Sequence, residues 1–432
     1  MYRAINSLFP LLCRGNHLAT HHESNPAAAA AAAVRRPLCS SLLSTIMPPR
    51  PRTAQNNMEV LTEKDLPLLP RPLRTAHNSA INQPIMPCTK ELAIDTKTPV
   101  CVTGATGYVA GVLISRLLDR GLTVHATVRD PSKKDRIQYL QDKADESKGT
   151  IKFFTGDLLK ERSFDEAAKG CSVIFHTASP FVISVKDVDE DLLKPAVKGT
   201  ENVLTTASNT PTIKRVVLTS SCAAIYNHAC DLDEIPEGVW TEEVWNRNSS
   251  RTDNPYSLSK TMAEQKAWVM AGSQCQWKLV VINPSFVMGP GLKYHPPSES
   301  FQFAKQLVGS GSTGVPAFPF GVVDVRDVAD AHIAAAYIPE AAGRHITNGS
   351  NTDMLEMAKG MIPGMKEAPV PKLLLWTLAP YIGLTRNFVS KNMGYKMNFD
   401  NSKAKNELGI DFYPLEKTMS DMYKQLEESK AD

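Results

Sequence analysis

The sequence predicts an α/β protein: a doubly wound parallel sheet of Rossmann type with a smaller C-terminal lobe. Three observations carry this. From Thr98 onward short apolar runs alternate with longer amphipathic ones. A glycine-rich turn joins the first apolar run to the first amphipathic one. After Pro284 the alternation weakens while proline and glycine increase. Strands alternating with helices indicate parallel strands covered on both faces.

The elements follow in order. Val100-Cys101-Val102 reads as a strand, Tyr108 to Asp119 as a helix, Leu122 to Val128 as a strand and Lys134 to Asp145 as a polar helix. Ile151 to Phe154 and Ser172 to Phe175 read as strands, with a helix around Ser163 to Ala168 between them. A long helix is expected from about Asp187 to Ala207, then a strand at Arg215 to Leu218. Tyr256 to Ala271 reads as a helix and Lys278 to Ile282 as a strand. This divides the chain into an N-terminal extension (1–95), a sheet domain (96–283) and a lobe shaped to hold a substrate (284–432). Within the lobe a segment near 322–332, beginning Val322-Val323-Asp324-Val325, is expected to return to the sheet. No internal repeat is visible.

Composition bounds the function. The chain has 432 residues, 42% hydrophobic and 22% charged, with a formal net charge of +3. That charge is too small to argue for nucleic acid or a membrane surface as partner. The eight cysteines are Cys13, Cys39, Cys88, Cys101, Cys171, Cys222, Cys230 and Cys275, with no C-x-x-C pair. Neither a disulfide framework nor a metal site is expected, and a reducing compartment is the simpler reading. No apolar run approaches the roughly 18 residues of a spanning helix. The nearest, Leu373 to Ala379, is cut by Pro380 and reads as a core or pocket helix.

The extension is Ala-, Pro- and Arg-rich, with Glu23 its sole acid before Arg52. Such a segment has the signature of a transit peptide, which would place the protein in a mitochondrion or plastid. A disordered tail or an over-long gene start, with Met47, Met58 or Met86 as the true first residue, fits equally. The protein is then cytoplasmic.

The first strand runs into Thr103-Gly104-Ala105-Thr106-Gly107-Tyr108-Val109-Ala110-Gly111. Glycines there permit a tight turn and close approach to a pyrophosphate, and the helix start supplies free N–H groups and a positive dipole end. The end of the second strand selects the dinucleotide. It reads Ala126-Thr127-Val128-Arg129-Asp130. Arg129 can grip a 2′-phosphate with its planar fork, and Lys133, Lys134 and Arg136 add positive charge. NADPH is the expected cofactor. The rival is that Asp130 binds the ribose of NAD and Arg129 is a surface residue. Asp157, in Gly156-Asp157-Leu158, can accept from an adenine amino group or cap a turn. Thr177, Ala178 and Ser179 end the fourth strand and are small enough for a cofactor to pass. His176 reads as a packed, hydrogen-bonded histidine.

Tyr256 and Lys260 stand four apart, so on a helix they share one face. A free tyrosine titrates near 10, and a neighbouring ammonium favours its phenolate. Tyr256 can then exchange a proton with a carbonyl oxygen. The fifth strand ends in Leu218-Thr219-Ser220-Ser221, where Ser221 can hold that oxygen. Alone each motif is common; together, in this order, they are specific.

With these residues in place the chain resembles the extended short-chain dehydrogenases/reductases. It is similar to the dihydroflavonol reductase and cinnamoyl-CoA reductase group, which includes generic aldehyde and methylglyoxal reductases. The matching stretches are V-T-G-A-T-G-Y, A-T-V-R-D-P, G-D-L, T-S-S, Y-S-L-S-K, Asn283 to Pro290 and Val323 to His332. The resemblance implies catalytic roles for Ser221, Tyr256 and Lys260, the last also contacting the nicotinamide ribose. It implies cofactor contacts at Gly104, Thr106, Gly107, Tyr108, Arg129, Lys133, Arg136, Asp157, Leu158, Thr177, Ala178, Ser179 and Thr219. Pro284, Phe286, Val287 and Ser298 complete that implied set. The implied reaction is hydride transfer from NADPH to an aldehyde or ketone. Tyr226 stands where flavonoid reductases carry a polar residue, and Asp253 to Ser257 lacks the cinnamoyl-CoA reductase pattern. Tyr226, Phe181, Phe286 and Trp376 are candidates for the pocket wall, or for ordinary core. Other readings are an NAD-dependent sterol dehydrogenase, which Arg129 opposes, and a nucleotide-sugar epimerase or dehydratase. Cys222 and Ala223 stand where a dehydratase places acids. A non-enzymatic NADPH sensor is disfavoured by Tyr256 and Lys260.

Overall fold

The computed structural model describes residues 95–179, 186–296, 298–309, 314–362, 364–365 and 369–430. Residues 1–94, and with them the targeting question, lie outside these, as does Phe181.

The sheet half runs β1 (Val100–Thr103), α1 (Tyr108–Asp119), β2 (Thr123–Val128), α2 (Gln138–Asp145) and β3 (Thr150–Thr155). It continues through α3 (Asp165–Ala168), β4 (Val173–His176), α4 (Lys194–Asn209), β5 (Arg215–Thr219), α5 (Pro255–Gly272) and β6 (Lys278–Pro284). The rest comprises β7 (Phe286–Met288), α6 (Glu299–Gly309), β8 (Pro319–Asp324), α7 (Val325–Tyr337), β9 (Gly343–Thr347) and β10 (Ser350–Asp353). Helices α8 (Met354–Met361), α9 (Lys372–Leu378), α10 (Arg386–Asn392), α11 (Ser402–Leu408) and α12 (Leu415–Glu428) complete it.

Seven strands form one sheet in the order β3-β2-β1-β4-β5-β6-β9, every pair parallel. β1 and β4 are buried along their whole length, as strands covered on both faces must be. One face packs Val102, Val124 and Val280 against Leu113 and Leu117 of α1 and Ala331 and Ile333 of α7. The other packs Ile174, Val216 and Val281 against Val203 of α4 and Ala267 of α5. Chain order reverses between β1 and β4, and crevices at such switch points hold ligands beyond the strands' carboxyl ends.

Two expected helices are each split. The Lys134–Asp145 segment is a 3₁₀ turn at Lys134–Arg136 followed by α2. The long one opens with a π turn at Asp189–Leu193 before α4, where Pro195 suits the first turn.

The C-terminal half departs from expectation in three ways. The Val322–Asp324 strand pairs with β7 and β10 in a separate three-stranded sheet. Only the following helix, α7, returns to the main sheet, placing Val325 and Ala329 in its core. The seventh strand, β9, pairs with β6 from Gly343 to Thr347 and was not foreseen. Its sequence, Gly343-Arg344-His345-Ile346-Thr347, carries one aliphatic residue, because Arg344 and His345 are buried through polar partners. Finally, α9 is a largely exposed helix that puts one residue, Leu375, into the core of the lobe. Leu375 is buried, but Leu373 and Leu374 are 74% and 49% exposed. Among the described residues no helix is long and apolar enough to cross a membrane.

Candidate active site

The turn after β1 is built for a close-fitting phosphate. Gly104 has φ +68°, and a Cβ there would lie 2.9 Å from the Cα of Ala178. Only glycine accepts both conditions. Gly107 stands at the N-cap of α1 and has no side chain to cap it, leaving first-turn N–H groups open to an anion. Thr103, buried at the end of β1, ties the two strand ends together. Its hydroxyl bonds His176 Nδ1 at 3.0 Å and accepts the Ala178 N–H at 3.1 Å. Thr177 donates to the Thr103 carbonyl. Burial, with Lys260 nearby, pushes His176 down to about 3, so it is a neutral packed histidine.

At the end of β2, Arg129, Lys133 and Arg136 are all exposed. Asp130 is already engaged: it accepts from Ser132 N and Oγ at 3.0 and 2.6 Å and faces Lys133 Nζ at 3.8 Å. Its geometry therefore weighs against the ribose-binding alternative, while Arg129 is open to a phosphate. These features fit an NADP(H) molecule lying across the β1/β4 switch point. Asp157 Oδ1 accepts the Leu159 N–H at 2.9 Å, a turn-capping bond. Leu158, Ala178, Ser179, Thr219 and Lys260 line one cleft.

Four other residues of the expected cofactor set have partners within the protein. The Tyr108 hydroxyl donates to the Gly289 carbonyl at 2.5 Å and its ring abuts Phe301 edge-on. Its side chain thus bridges α1 to the lobe, and its contribution to an anion site is the main-chain N–H. The Thr219 hydroxyl pairs with His332 Nε2 at 2.6 Å, on α7. Val287 pairs with Val323 in the small sheet. Ser298 is buried just ahead of α6, its N–H on the His295 carbonyl at 2.9 Å.

The catalytic candidates converge from separate elements. Asn254 adopts φ +61° and Pro255 opens α5, so the chain turns sharply into the helix that carries Tyr256 and Lys260. Ser221, in extended backbone beyond β5, accepts the Ala223 N–H at 3.1 Å. It lines the same cavity as Tyr256. Lys260 Nζ donates to Ser179 Oγ at 3.0 Å and lies 5.9 Å from the centre of the Tyr256 ring. Burial pulls Lys260 down to about 8, opposed by the Glu264 carboxylate.

The expectation that Lys260 lowers Tyr256 is not met in this arrangement. Burial pushes the phenol up to about 12, opposed by the Ser221 hydroxyl and assisted by Glu299. The residue is still 38% exposed to the open cleft, so water there offsets part of the push until a ligand displaces it. A phenol that holds its proton near neutral pH is an acid ready to donate.

Beside Ser221 and Tyr256 a second cavity is walled by Tyr226, Phe286, Phe320 and Phe399, with Pro284, Asn227 and Asn254 at its edges. Tyr226 packs on Trp240 at 4.7 Å and meets Phe399 at 5.4 Å. Trp376 is absent from this wall; it bonds Ser390 Oγ at 3.1 Å and lies under Arg386. Phe320, Phe399, Asn227 and Asn254 were not foreseen, since nothing local marks a residue that reaches the cavity from another strand or loop. Among the described residues no cluster of His, Cys, Asp or Glu could hold a metal.

Comparison with known proteins agrees with this geometry. Residues 100–348 match the model of the NAD dependent epimerase/dehydratase family. The chain is 36% identical over 338 residues to cinnamoyl-CoA reductase CAD2 of Medicago truncatula, covering 77% of this chain and 96% of that protein. It is 33% identical to tetraketide alpha-pyrone reductase 1 of Arabidopsis thaliana, with the same coverages of 77% and 96%. Among solved structures, yeast methylglyoxal/isovaleraldehyde reductase Gre2 complexed with NADPH superposes with a TM-score of 0.62 at 26% identity. It covers 77% of this chain and 99% of that one.

Proposed function

The chain belongs to the NAD dependent epimerase/dehydratase family, and from that premise we infer that it is an NADPH-dependent carbonyl reductase acting on aldehydes or ketones. The observation that carries this is the convergence of Ser221 and Tyr256 on one aromatic-walled cavity, with Lys260 of the same helix in the adjoining cleft. Bound NADPH supplies the hydride that goes to the carbonyl carbon.

The chain's own residues do the rest. Ser221 Oγ has one lone pair taken by Ala223, and its remaining capacity serves Tyr256 and the substrate oxygen. Tyr256 donates its proton to that oxygen as negative charge develops there. Lys260, one turn on from Tyr256 and 5.9 Å from its ring, is placed to bond the nicotinamide ribose. Arg129, Lys133 and Arg136 hold the 2′-phosphate, and the turn from Gly104 to Gly107 holds the pyrophosphate. Tyr226, Phe286, Phe320 and Phe399 favour a carbonyl compound with a flat or apolar body.

The test is NADPH oxidation across a panel of aldehydes, ketones and dihydroflavonols, repeated with NADH. Activity confined to NADPH is expected, and Tyr256→Phe should lower kcat about 10²–10⁴-fold. A Tyr256→Phe enzyme reducing carbonyls at the parent rate would sink the mechanism.

A further inference from the structure

A fully buried carboxylate lies directly behind the catalytic set. Glu264 is one turn beyond Lys260 on α5, with no side-chain exposure. Its Oε1 accepts from Arg344 Nε at 2.6 Å and Trp268 Nε1 at 3.2 Å. Its Oε2 accepts from Ser220 Oγ at 2.6 Å, Asn283 Nδ2 at 2.9 Å and Arg344 Nη2 at 3.5 Å. The four donor residues come from four places: β9, α5, the end of β5 and β6.

The partners lead to the chemistry. Ser220 immediately precedes Ser221, and Asn283 Nδ2 also reaches the Ser221 carbonyl at 3.2 Å. Arg344 in turn donates to the carbonyls of Ala224 (3.3 Å), Glu242 (2.9 Å) and Val244 (2.6 Å). The segment leaving Ser221 is therefore held from both sides. Its guanidinium also stacks on Trp245 at 4.0 Å. A buried ion pair is a weak source of stability, because desolvating two charges offsets most of their attraction. A carboxylate with both oxygens saturated by donors on four elements does something more specific: it fixes relative position.

We propose that Glu264, anchored by Arg344, is a positioning residue for carbonyl reduction, holding the Ser221 main chain in register with Lys260 across the catalytic cleft. Its charge also acts on Lys260. Lys260 is faced by Glu264 and Tyr256 from α5, by His176 from β4 and by Ser179 from the loop beyond it. Of these Glu264 is the carboxylate, and it is what opposes the downward pull of burial. Arg344 from β9, and Glu242 beyond it on the Ile346 N–H, are the other charged groups at this pair. Removing the Glu264 charge lets Lys260 lose its proton at lower pH.

The inference rests on the reductase reading, which the unaltered enzyme tests by itself: failure of that enzyme to oxidise NADPH with any carbonyl overturns the reading. With an active parent, three variants test the inference per NADPH-binding site, counted by fluorescence titration. Glu264→Gln sets an amide NH₂ against donors on one side or the other. It should lower kcat about 10–100-fold, change KM for NADPH little, and move the alkaline fall of kcat to lower pH. The double variant Glu264→Met with Arg344→Met replaces the pair by apolar side chains, which buried pairs commonly tolerate, and should show the same loss and shift. If either charge variant does not fold, Ser220→Ala decides, since it removes one uncharged donor. It should lower kcat several-fold while the folded enzyme loses only a modest part of its thermal midpoint. Folded variants with the parent's kcat and pH profile per site overturn the proposal.

Discussion

Lys260 Nζ sits 3.0 Å from Ser179 Oγ, joining the catalytic helix to the end of β4 across the cofactor cleft. Burial there lowers Lys260 to about 8, and the two consequences have opposite signs. An unfolded chain keeps this lysine protonated to about 10.4. Between pH 8 and 10 the unfolded state thus binds the extra proton, so this group adds stability as pH rises. By the proposed mechanism catalysis needs the ammonium and should fall over the same window. The thermal midpoint and kcat of the apo-purified enzyme, measured from pH 7 to 10, should diverge. Lys260→Met should remove this group's share of the stability rise. An activity that stays flat to pH 10 contradicts the role of the ammonium.

Arg129 should decide between the two dinucleotides. It is exposed while Asp130 is occupied by Ser132 and Lys133. Arg129→Ala should weaken NADPH about 10–100-fold, as expected for a charge-assisted phosphate contact, and leave NADH nearly unchanged. Titration by fluorescence reads both; an unchanged preference refutes the assignment.

Gly104→Ala tests the phosphate turn. The left-handed backbone alone costs a non-glycine residue about 1–2 kcal/mol, and the new Cβ meets the Ala178 backbone at 2.9 Å. Lower thermal stability and a larger loss of NADPH affinity are expected together, while Gly170→Ala, with open space around it, should leave NADPH affinity alone.

Asp327, buried on α7, gives a pH signature remote from catalysis. Burial, with Asp324 and Asp330 adding to it, raises its carboxyl to about 7, while its Oδ2 accepts the Tyr413 N–H at 2.9 Å. The folded state holds this proton longer than the unfolded one, so the stability it contributes at low pH is lost as pH rises through 7. Asp327→Asn keeps an acceptor for Tyr413 and removes the charge. Its thermal midpoint should match the parent at pH 5 and exceed it at pH 8; equal midpoints at pH 8 would rule this out.

How much was legible in the sequence differs by residue. Gly104 and Gly107 announce themselves because a strand-turn-helix leaves its phosphate signature within a few positions. Tyr256 and Lys260 do so because one helical turn fixes their shared face. The cavity wall is different: Tyr226, Phe286, Phe320 and Phe399 come from four segments, and an aromatic residue facing a cavity is indistinguishable in sequence from one in a core. Trp376 was such a candidate, and its ring lies elsewhere, under Arg386.

By itself the sequence determined the alternating α/β order through β6, the dinucleotide turn, the cation-rich end of β2 and the Tyr256–Lys260 spacing. All of these are local, set by periodicity and by backbone angles a few residues permit. Only the tertiary structure decided that β9 closes the sheet, that β8 belongs to a second sheet, and that Glu264 meets Arg344 and Ser220 behind Ser221. Those pairings depend on which distant segments the folded chain brings within hydrogen-bond reach, and a buried arginine is recognisable as such only once its acceptors are in place.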